Sequence, residues 1–383
     1  MKTKIQKFAA LSLSCAMVVS LAACSGSSSG TTTAAETVSA AASGAPSTVS
    51  DNKGDTVNAA SDDYSALEPV ELIGADASSN GAAAQQLGEL VAKKVDEITG
   101  GKLTIDYHPN SELGGDADIL RQVYSGDIHI AVCQTAPVVS FIPEVAVFDL
   151  PMVFAQSDGD TIDQVLNGEN SEFHQKVSTA YENSGFHLLG FLQNATFRLT
   201  TSNKELAELR DFQDLHIRTM ENSNHMAFWS AIGASPTPLA WPEVYISLQN
   251  GTIDAEENAA DTVLGANLQE VQKYLSCTNH ILYLNQISMN KDSYENLDPA
   301  YQAALNQAVS EAIDEVRPKL VTLDSDSKKA LQDDGMKLTE YDSSFYENIL
   351  ALDGVKQLYS DIDTQVKGLG TILQDELKKI IAA

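Results

Sequence analysis

The chain is short of positive charge and of cysteine, and each shortage removes a class of protein. Its 383 residues include 24 lysines and arginines against 53 aspartates and glutamates, which gives a formal net charge of −29. So acidic a surface disfavours binding to nucleic acid and electrostatic docking on anionic lipid. The four cysteines stand at isolated positions and supply no disulfide framework. Cys133 and Cys277 lie in apolar runs and are expected to be buried free thiols.

Sequence motifs that hold cofactors or metals are also missing. There is no phosphate loop and no dinucleotide fingerprint. The seven histidines show no metal-ligand spacing, since His216 and His225 lie nine positions apart. The segment Gly26-Ser27-Ser28-Ser29-Gly30 matches a hydrolase nucleophile elbow but lacks the strand before it and the helix after it. We therefore expect no cofactor, no metal and no enzymatic activity.

The N-terminus predicts export and lipid anchoring. A start with three lysines leads into the apolar residues 8–22, and Leu21-Ala22-Ala23-Cys24 has the form of a lipobox. The apolar run is shorter than the roughly 20 residues that a membrane-spanning helix needs. Residues 1–23 are therefore predicted to be a lipoprotein signal peptide, with Cys24 lipidated and the protein held on the outer face of the cytoplasmic membrane.

The next segment predicts a linker rather than a folded domain. Residues 25–61 consist mostly of Ser, Thr, Ala and Gly, and no aromatic residue appears before Tyr64. Such a segment has little apolar surface to bury against the entropy of ordering. Residues 24–65 are thus expected to be a lipidated N-terminus and flexible stalk.

From residue 66 onward the pattern predicts two α/β domains. Strand-like and helix-like runs alternate from residue 69 to Cys133, which implies a parallel sheet with helices on its faces. Asp298 and Pro299 begin a long helical stripe that Pro318 is expected to kink. A helix of that length suits a connection between domains. The expected boundaries are residues 66–195 plus about 284–323 for domain I, and 196–283 plus about 324–383 for domain II.

Two arginines in strand-like surroundings are the candidate functional residues. Arg198 follows the strand-like run from Phe186 to Gln193, and Arg218 ends a strand twenty residues later. A guanidinium stays charged and presents a fork of donors that matches a carboxylate. If the protein supplies no anion, a ligand does. The alternative is an internal salt bridge, for example from Arg218 to Glu221 or Glu257.

Several ordered motifs around these arginines resemble one family. They are Phe197-Arg198, His216-Ile217-Arg218, Gly233 to Pro238, Glu243 to Gly251 and Asp254 to Asn258, with Pro109 to Gly115 and Phe148 to Pro151 upstream. In this order they resemble the DctP-like solute-binding proteins of tripartite ATP-independent periplasmic (TRAP) transporters. The resemblance covers residues from about 69 to 330. It implies a periplasmic-binding-protein-like fold whose two domains close around one small organic acid.

The resemblance also implies roles for particular residues. Arg218 matches the arginine that pairs with the ligand carboxylate, Arg198 a second cationic contact, and Asn258 an amide that donates to the carboxylate. Trp241 takes the place of an aromatic residue beside the ligand, and packing at the start of a helix explains it equally well. For the remaining two candidates, Glu257 is interpreted as orienting Arg218, and His280 as either a cleft residue or a buried structural histidine.

This chain also departs from the family pattern around Asn258. Asp214 replaces a usual glycine, Ala255-Glu256 stands where Gly-Gln is usual, and Ala259 stands where proline follows the asparagine. These differences leave the ligand open among C4-dicarboxylates, sugar acids and keto acids. The implied partner is a TRAP membrane permease. Two other functions stay open: a ligand-sensing subunit for a membrane signalling protein, and an extracytoplasmic enzyme acting on organic acids.

Overall fold

The structure is a computed structural model that describes residues 63–382. The predicted signal peptide, Cys24 and the linker up to residue 62 lie outside the described residues. Those that are described belong to one compact unit. The predicted domain boundaries therefore remain predictions.

The strands lie in two sheets, and we call the parts of the chain built on them the first and second lobes. The strands are β1 Val70–Asp76, β2 Leu103–His108, β3 Ile130–Gln134, β4 Phe186–Leu192, β5 Leu199–Ser202, β6 His216–Thr219, β7 Ser235–Pro238, β8 Ala255–Asn258, β9 Tyr274–Ser276, β10 Asn285–Asn290 and β11 Lys337–Thr339. The first sheet has the order β2-β1-β3-β10-β4, and the second β11-β9-β5-β8-β6-β7.

Helices cover the faces of both sheets, as the alternating pattern predicts. They are α1 Ala83–Thr99, α2 Asp116–Ser125, α3 Thr135–Val138, α4 Gly159–Leu166, α5 Glu172–Asn183, α6 Ser223–Ala231, α7 Val244–Gln249, α8 Ala260–Gly265, α9 Lys291–Glu295, α10 Pro299–Val316, α11 Leu320–Asp333, α12 Ser343–Ala351, α13 Asp353–Gln365 and α14 Leu369–Ile381. Gly100 ends α1 and Gly126 ends α2, both with positive φ, which a glycine adopts without strain.

The parallel sheet expected from β1 to β3 forms, but the complete sheet is mixed. β1 pairs in parallel with both β2 and β3. β10 lies between β3 and β4 and is antiparallel to each. The reason is topological, because β10 comes from the chain that returns from the second lobe and enters the first sheet in the opposite direction.

Two neighbouring segments carry the chain between the lobes. The outgoing segment joins β4 to β5, and the returning segment joins β9 to β10. They pair as a short antiparallel ribbon, in which the Arg198 amide donates to the Ile281 carbonyl at 2.9 Å and the Tyr283 amide donates to the Thr196 carbonyl at 2.8 Å. Arg198 thus lies at the base of the cleft between the lobes.

The long helix connects the lobes a third time. The side chain of Asp298 caps α10, as expected for Asp before Pro. A short 3₁₀ turn at Arg317–Lys319 separates α10 from α11, since Pro318 lacks an amide hydrogen and crowds the preceding turn. α10 packs on α1 and β4 of the first lobe, whereas α11 packs on α8 and β11 of the second. Near the C-terminus, α14 packs back on α4 and α5.

Candidate functional site

A small cavity lies between the two lobes, with about 30 Å³ of space for the centre of a water molecule. It opens beyond the carboxyl ends of β1 and β3 on one side and of β6 and β8 on the other, which is where open α/β sheets bind ligands. The lining residues are Ala77, Ser78, Ala84, Asp116, Val132, Cys133, Gln134, Arg218, Met220, Trp241, Asn258, Thr262, Tyr283 and Asn285.

Direct contacts between the lobes show that the cleft is closed. At the mouth, a Cβ placed on Gly115 would lie 3.4 Å from the Cβ of Ala240. The Ala83 amide, in the first turn of α1, donates to the Asp261 carboxylate of the second lobe at 3.1 Å. α1 has no side-chain cap from its own neighbours. Asp261 therefore satisfies a helix end that belongs to the opposite lobe.

Arg218 faces this cavity and is incompletely paired. Its side chain is buried, its Nε donates to the Leu239 carbonyl at 2.9 Å, and its guanidinium carbon lies 5.5 Å from the centre of the Trp241 ring. Its Nη1 is buried without a hydrogen-bond partner among the described residues. Burial lowers the pKa of Arg218, with the charges of Glu257 and Glu256 opposing that effect. A buried donor without an acceptor is costly, so this nitrogen is set to bind an anion.

Asn258 and Trp241 lie beside Arg218, as the sequence predicts. Asn258 ends β8, and its side-chain oxygen accepts from the Ala259 amide at 3.2 Å. Gln134 from the first lobe also points at that oxygen, at 3.5 Å. The NH₂ group of Asn258 is left as a donor toward the cavity. Together Arg218 and Asn258 can supply both donors that a carboxylate needs.

Arg198 has a different environment. Its Nε and Nη2 donate to the two carboxylate oxygens of Glu257, with 2.9 Å between Nη2 and Oε1, and Nη2 also donates to the Glu257 carbonyl at 2.7 Å. Its Nη1 donates to the side-chain oxygen of Gln134. Glu257 therefore pairs with Arg198, whereas the sequence interpretation had it orienting Arg218. None of the described acidic residues forms a salt bridge with Arg218, Glu221 included.

The strand pleat explains why the two arginines differ. Successive residues of a strand point to opposite faces, so Glu257 and Asn258 serve opposite sides of the second sheet. The pairing of Ile217 with Ala255 puts Arg218 on the face of Asn258. Arg198, Glu257 and His280 lie on the other side, outside the cavity lining. The structure thus brings Arg218, Asn258 and Trp241 together and sets the other three candidates apart.

Those three candidates belong to a larger group that we call the buried ion cluster, made of Arg198, Glu257, His280, His225 and Asp149. Burial opposes the charge of Glu257, but Arg198, then His225 and His280, outweigh it and hold the pKa of that carboxyl well below its usual value. His280 Nε2 lies 3.2 Å from Glu257, and burial lowers the His280 pKa. The neutral imidazole then donates from Nε2 and accepts from Thr278 at 3.1 Å.

His225 behaves in the opposite way to His280. Its Nε2 forms an ion pair with Asp149 at 3.2 Å, and its Nδ1 lies 3.9 Å from Glu257. Burial alone would lower the pKa of His225, but the two carboxylates outweigh burial and raise it to about 9. His225 is therefore the second cation of the cluster and Asp149 the second anion, so the cluster is close to neutral overall.

Sequence reasoning missed several residues of the site. Asp116, Gln134 and Asn285 all line the cavity from the first lobe. The Gly114-Gly115 turn before α2 was the available signal for Asp116, since it places the first residue of the helix at the mouth. On the second lobe, Glu256 is fully buried on the face of Arg218. Burial raises the pKa of Glu256 to about 7, against the charge of Arg218.

Two further findings concern the described residues. Cys133 and Cys277 are free and buried, as predicted. Within residues 63–382, no helix combines the length and the apolar character needed to cross a bilayer.

Comparisons with known proteins agree with this fold. Residues 73–351 match the sequence profile of bacterial extracellular solute-binding protein family 7, DctP. The sialic acid-binding periplasmic protein SiaP of Vibrio cholerae is 25% identical over 290 residues, which are 76% of this chain and 87% of that protein.

Solved structures show the same architecture. A sugar acid binding protein from Advenella mimigardefordensis, in complex with galactonate, is 24% identical with a TM-score of 0.76, covering 82% of this chain and 99% of its own. A TRAP periplasmic solute binding protein from Desulfovibrio salexigens, with bound orotic acid, is also 24% identical with a TM-score of 0.76. The match covers 81% of this chain and 99% of that one. The two-lobed α/β fold is thereby confirmed. Because the family profile matches most of its length, this chain belongs to bacterial extracellular solute-binding protein family 7, and the predicted relationship to DctP-like solute-binding proteins is confirmed.

Proposed function

We propose that this protein is a lipid-anchored receptor that captures a small organic carboxylate between its lobes and delivers it to a TRAP-type permease. The observation that carries the proposal is the buried Nη1 of Arg218, which faces the cavity without an acceptor. The Advenella mimigardefordensis protein and SiaP are named for binding acids, and the Desulfovibrio salexigens structure contains bound orotic acid. In the proposed complex, Arg218 and Asn258 donate to the ligand carboxylate and Trp241 packs beside it.

The other candidate residues take indirect roles in this proposal. Arg198 is the second cation, acting on the ligand through the field of its charge rather than through a free donor, since Glu257 and Gln134 already occupy its fork. Glu257 and His280 hold Arg198 in place. Capture needs no covalent chemistry, because closing the lobes around a bound acid is itself the functional step.

Ligand binding tests the proposal directly. The full-length protein is screened with organic acids by melting shift, and hits are titrated by calorimetry. A true ligand raises the melting temperature, because it binds only the folded state. Arg218→Ala is expected to raise the Kd at least about 30-fold, since it removes one partner of a buried charge pair. Arg210→Ala is the matched control, because Arg210 is an exposed arginine of the same lobe. An unchanged ligand response in Arg218→Ala would refute the assignment.

Two further experiments test the anchor and the delivery step. Cys24→Ala is expected to abolish incorporation of labelled fatty acid and to release the protein from the membrane fraction. A strain that lacks its TRAP permease is expected to lose uptake of the ligand while the purified protein still binds it. Uptake that continues without the permease would favour a sensing role over transport.

A further inference from the structure

We infer that the first-lobe wall of the cavity, through Asp116 and Asn285, selects a monocarboxylate with a hydroxylated tail and rejects a dicarboxylate. The inference rests on the proposed function, since it takes the carboxylate on Arg218 as the fixed end of the ligand. The inference states which of the acid classes left open by the sequence has a tail that fits the first-lobe end of the cavity.

The charge of the lining is the first observation. Among the described residues that line the cavity, Arg218 is the only cation and Asp116 the only acid. The second arginine of the region is not available, because Glu257 fills its fork. A dicarboxylate would place one carboxylate on Arg218 and the other against the wall that carries Asp116. Like charges brought together in a closed cleft are strongly unfavourable.

Asp116 itself is suited to accept a hydrogen bond from a ligand. It is the first residue of α2, it is half-buried, and it makes no hydrogen bond with any described side chain. Burial raises the pKa of Asp116 to about 6, with the charge of Arg218 opposing that shift. At neutral pH its carboxylate is mostly ionised and accepts hydrogen bonds without donating any. A ligand hydroxyl supplies the missing donor, which neither a methylene nor a second carboxylate can do.

Asn285 is the second, independent observation. It begins β10, only 1% of its surface is exposed, and it lines the cavity. Neither its side-chain oxygen nor its side-chain nitrogen has a hydrogen-bond partner among the described residues. Buried amides are normally satisfied on both atoms. A hydroxyl both donates and accepts, so hydroxyls on the ligand can satisfy both atoms of the amide, whereas a carboxylate can satisfy only its NH₂ group.

The size of the cavity limits the length of the tail. With the lobes closed, the centre of a water molecule has about 30 Å³ to occupy, so only a compact ligand fits the cavity. Acids of four to six carbons are the appropriate probes. Each chain length offers a matched pair that differs mainly in the tail: erythronate and succinate, xylonate and glutarate, gluconate and adipate.

The experiment measures the Kd of the full-length protein for each pair at pH 7.5 by calorimetry. The hydroxylated acid of the best-bound pair is expected to bind at least about tenfold more tightly than its dicarboxylate partner, because a site built for hydrogen bonds discriminates against a ligand that cannot make them. Asp116→Asn removes the acid at constant shape and is expected to reduce that ratio several-fold. Asn285→Ala is expected to weaken the hydroxylated acid more than the dicarboxylate. Asp118→Asn is the control, since Asp118 lies on the exposed side of the same helix.

Each outcome bears on a separate statement. A ratio that Asp116→Asn leaves unchanged, or a dicarboxylate bound as tightly as its hydroxylated partner, overturns this inference and leaves the proposed function standing. Heat with none of the six acids, together with no melting shift from any other carboxylate, overturns the proposed function and this inference with it.

Discussion

Arg198 and Arg218 have the same chemistry, lie twenty residues apart and are buried in the same lobe, yet the fold treats them in opposite ways. Every nitrogen of Arg198 donates to Glu257 or Gln134. Within residues 63–382, Arg218 has one hydrogen-bond acceptor, a backbone carbonyl, and a buried nitrogen without any. The difference shows that burial of an arginine is a weak indicator of its function. The groups that accept its hydrogen bonds are a stronger one. Arg198 is paired within the protein, whereas the proposed function has Arg218 take its anion from a ligand.

The largest expected effect comes from breaking the Arg198 pair. Arg198→Met leaves Glu257 charged and buried without its main partner, and removing one member of a buried pair typically costs about 3–5 kcal/mol of unfolding free energy. Urea denaturation without ligand measures the loss. Arg210→Met is the control and is expected to change the unfolding free energy by less than about 1 kcal/mol, because Arg210 pairs only at the surface. A loss for Arg198→Met no larger than that of the control would remove the contrast between the two arginines.

The pH dependence of stability sharpens the description of the buried ion cluster. The pKa of His225 rises from 6.5 to about 9 on folding. A raised histidine pKa contributes stability that is fully present below 6.5 and is lost as the pH rises through 9, here about 3 kcal/mol. His225→Gln is expected to flatten the fall in unfolding free energy across this window.

His280→Gln provides the comparison for that measurement. The pKa of His280 is lowered, so the imidazole is already neutral above pH 6.5. In His280→Gln the slope of unfolding free energy against pH is therefore expected to stay as in the wild type above that pH. If unfolding free energy falls with pH at the same slope in the wild type, His225→Gln and His280→Gln, His225 is not a cation of the buried ion cluster.

Gln134 offers a way to link the two arginine environments. It belongs to the first lobe, yet its oxygen accepts from Arg198 and its nitrogen points to Asn258 at 3.5 Å. These contacts exist only while the lobes are together. Gln134→Leu is therefore expected to cost about 1.5 kcal/mol of closure and to raise the ligand Kd about tenfold. Calorimetry with the best ligand measures this. An unchanged Kd would mean that closure does not depend on this bridge.

The smallest expected effect completes the comparison. Arg218→Met removes a buried charge that forms no salt bridge with any described residue, so no direct pair is broken. The unfolding free energy of the ligand-free protein is expected to stay within about 0.5 kcal/mol of the wild-type value or to rise. The same urea experiment decides it. A loss comparable with that of Arg198→Met would mean that Arg218 has a structural partner after all.

The candidate residues that the structure brings together are those that stand in local motifs. Arg218, Trp241 and Asn258 meet at one cavity because each ends or begins an element whose pattern is legible in the chain. Glu257 was assigned to the wrong arginine, because its direction depends on the pleat of β8 and on its register with β5. His225 and Asp149 are 76 residues apart in the chain and meet only in the tertiary structure. No local sequence pattern indicates such a pair.

The same limit applies to the first-lobe wall and to the C-terminus. The sequence predicts helices between residue 69 and Cys133, but which side chain of α2 faces the cleft depends on how far the lobes close. Likewise, no local pattern gives the direction of α14, which returns to α4 and α5 of the opposite lobe.

The contact between Asp261 and Ala83 allows opening of the lobes to be followed by hydrogen exchange. The first turn of α1 has its acceptor only while the second lobe covers it, and the Ala83 amide hydrogen meets water only when the lobes part. Deuterium uptake at this single backbone amide therefore reports how often the lobes open, without any attached probe. A cargo acid that slows uptake there, without slowing it in the fraying last turn of α14, reports how long the captured molecule stays inside.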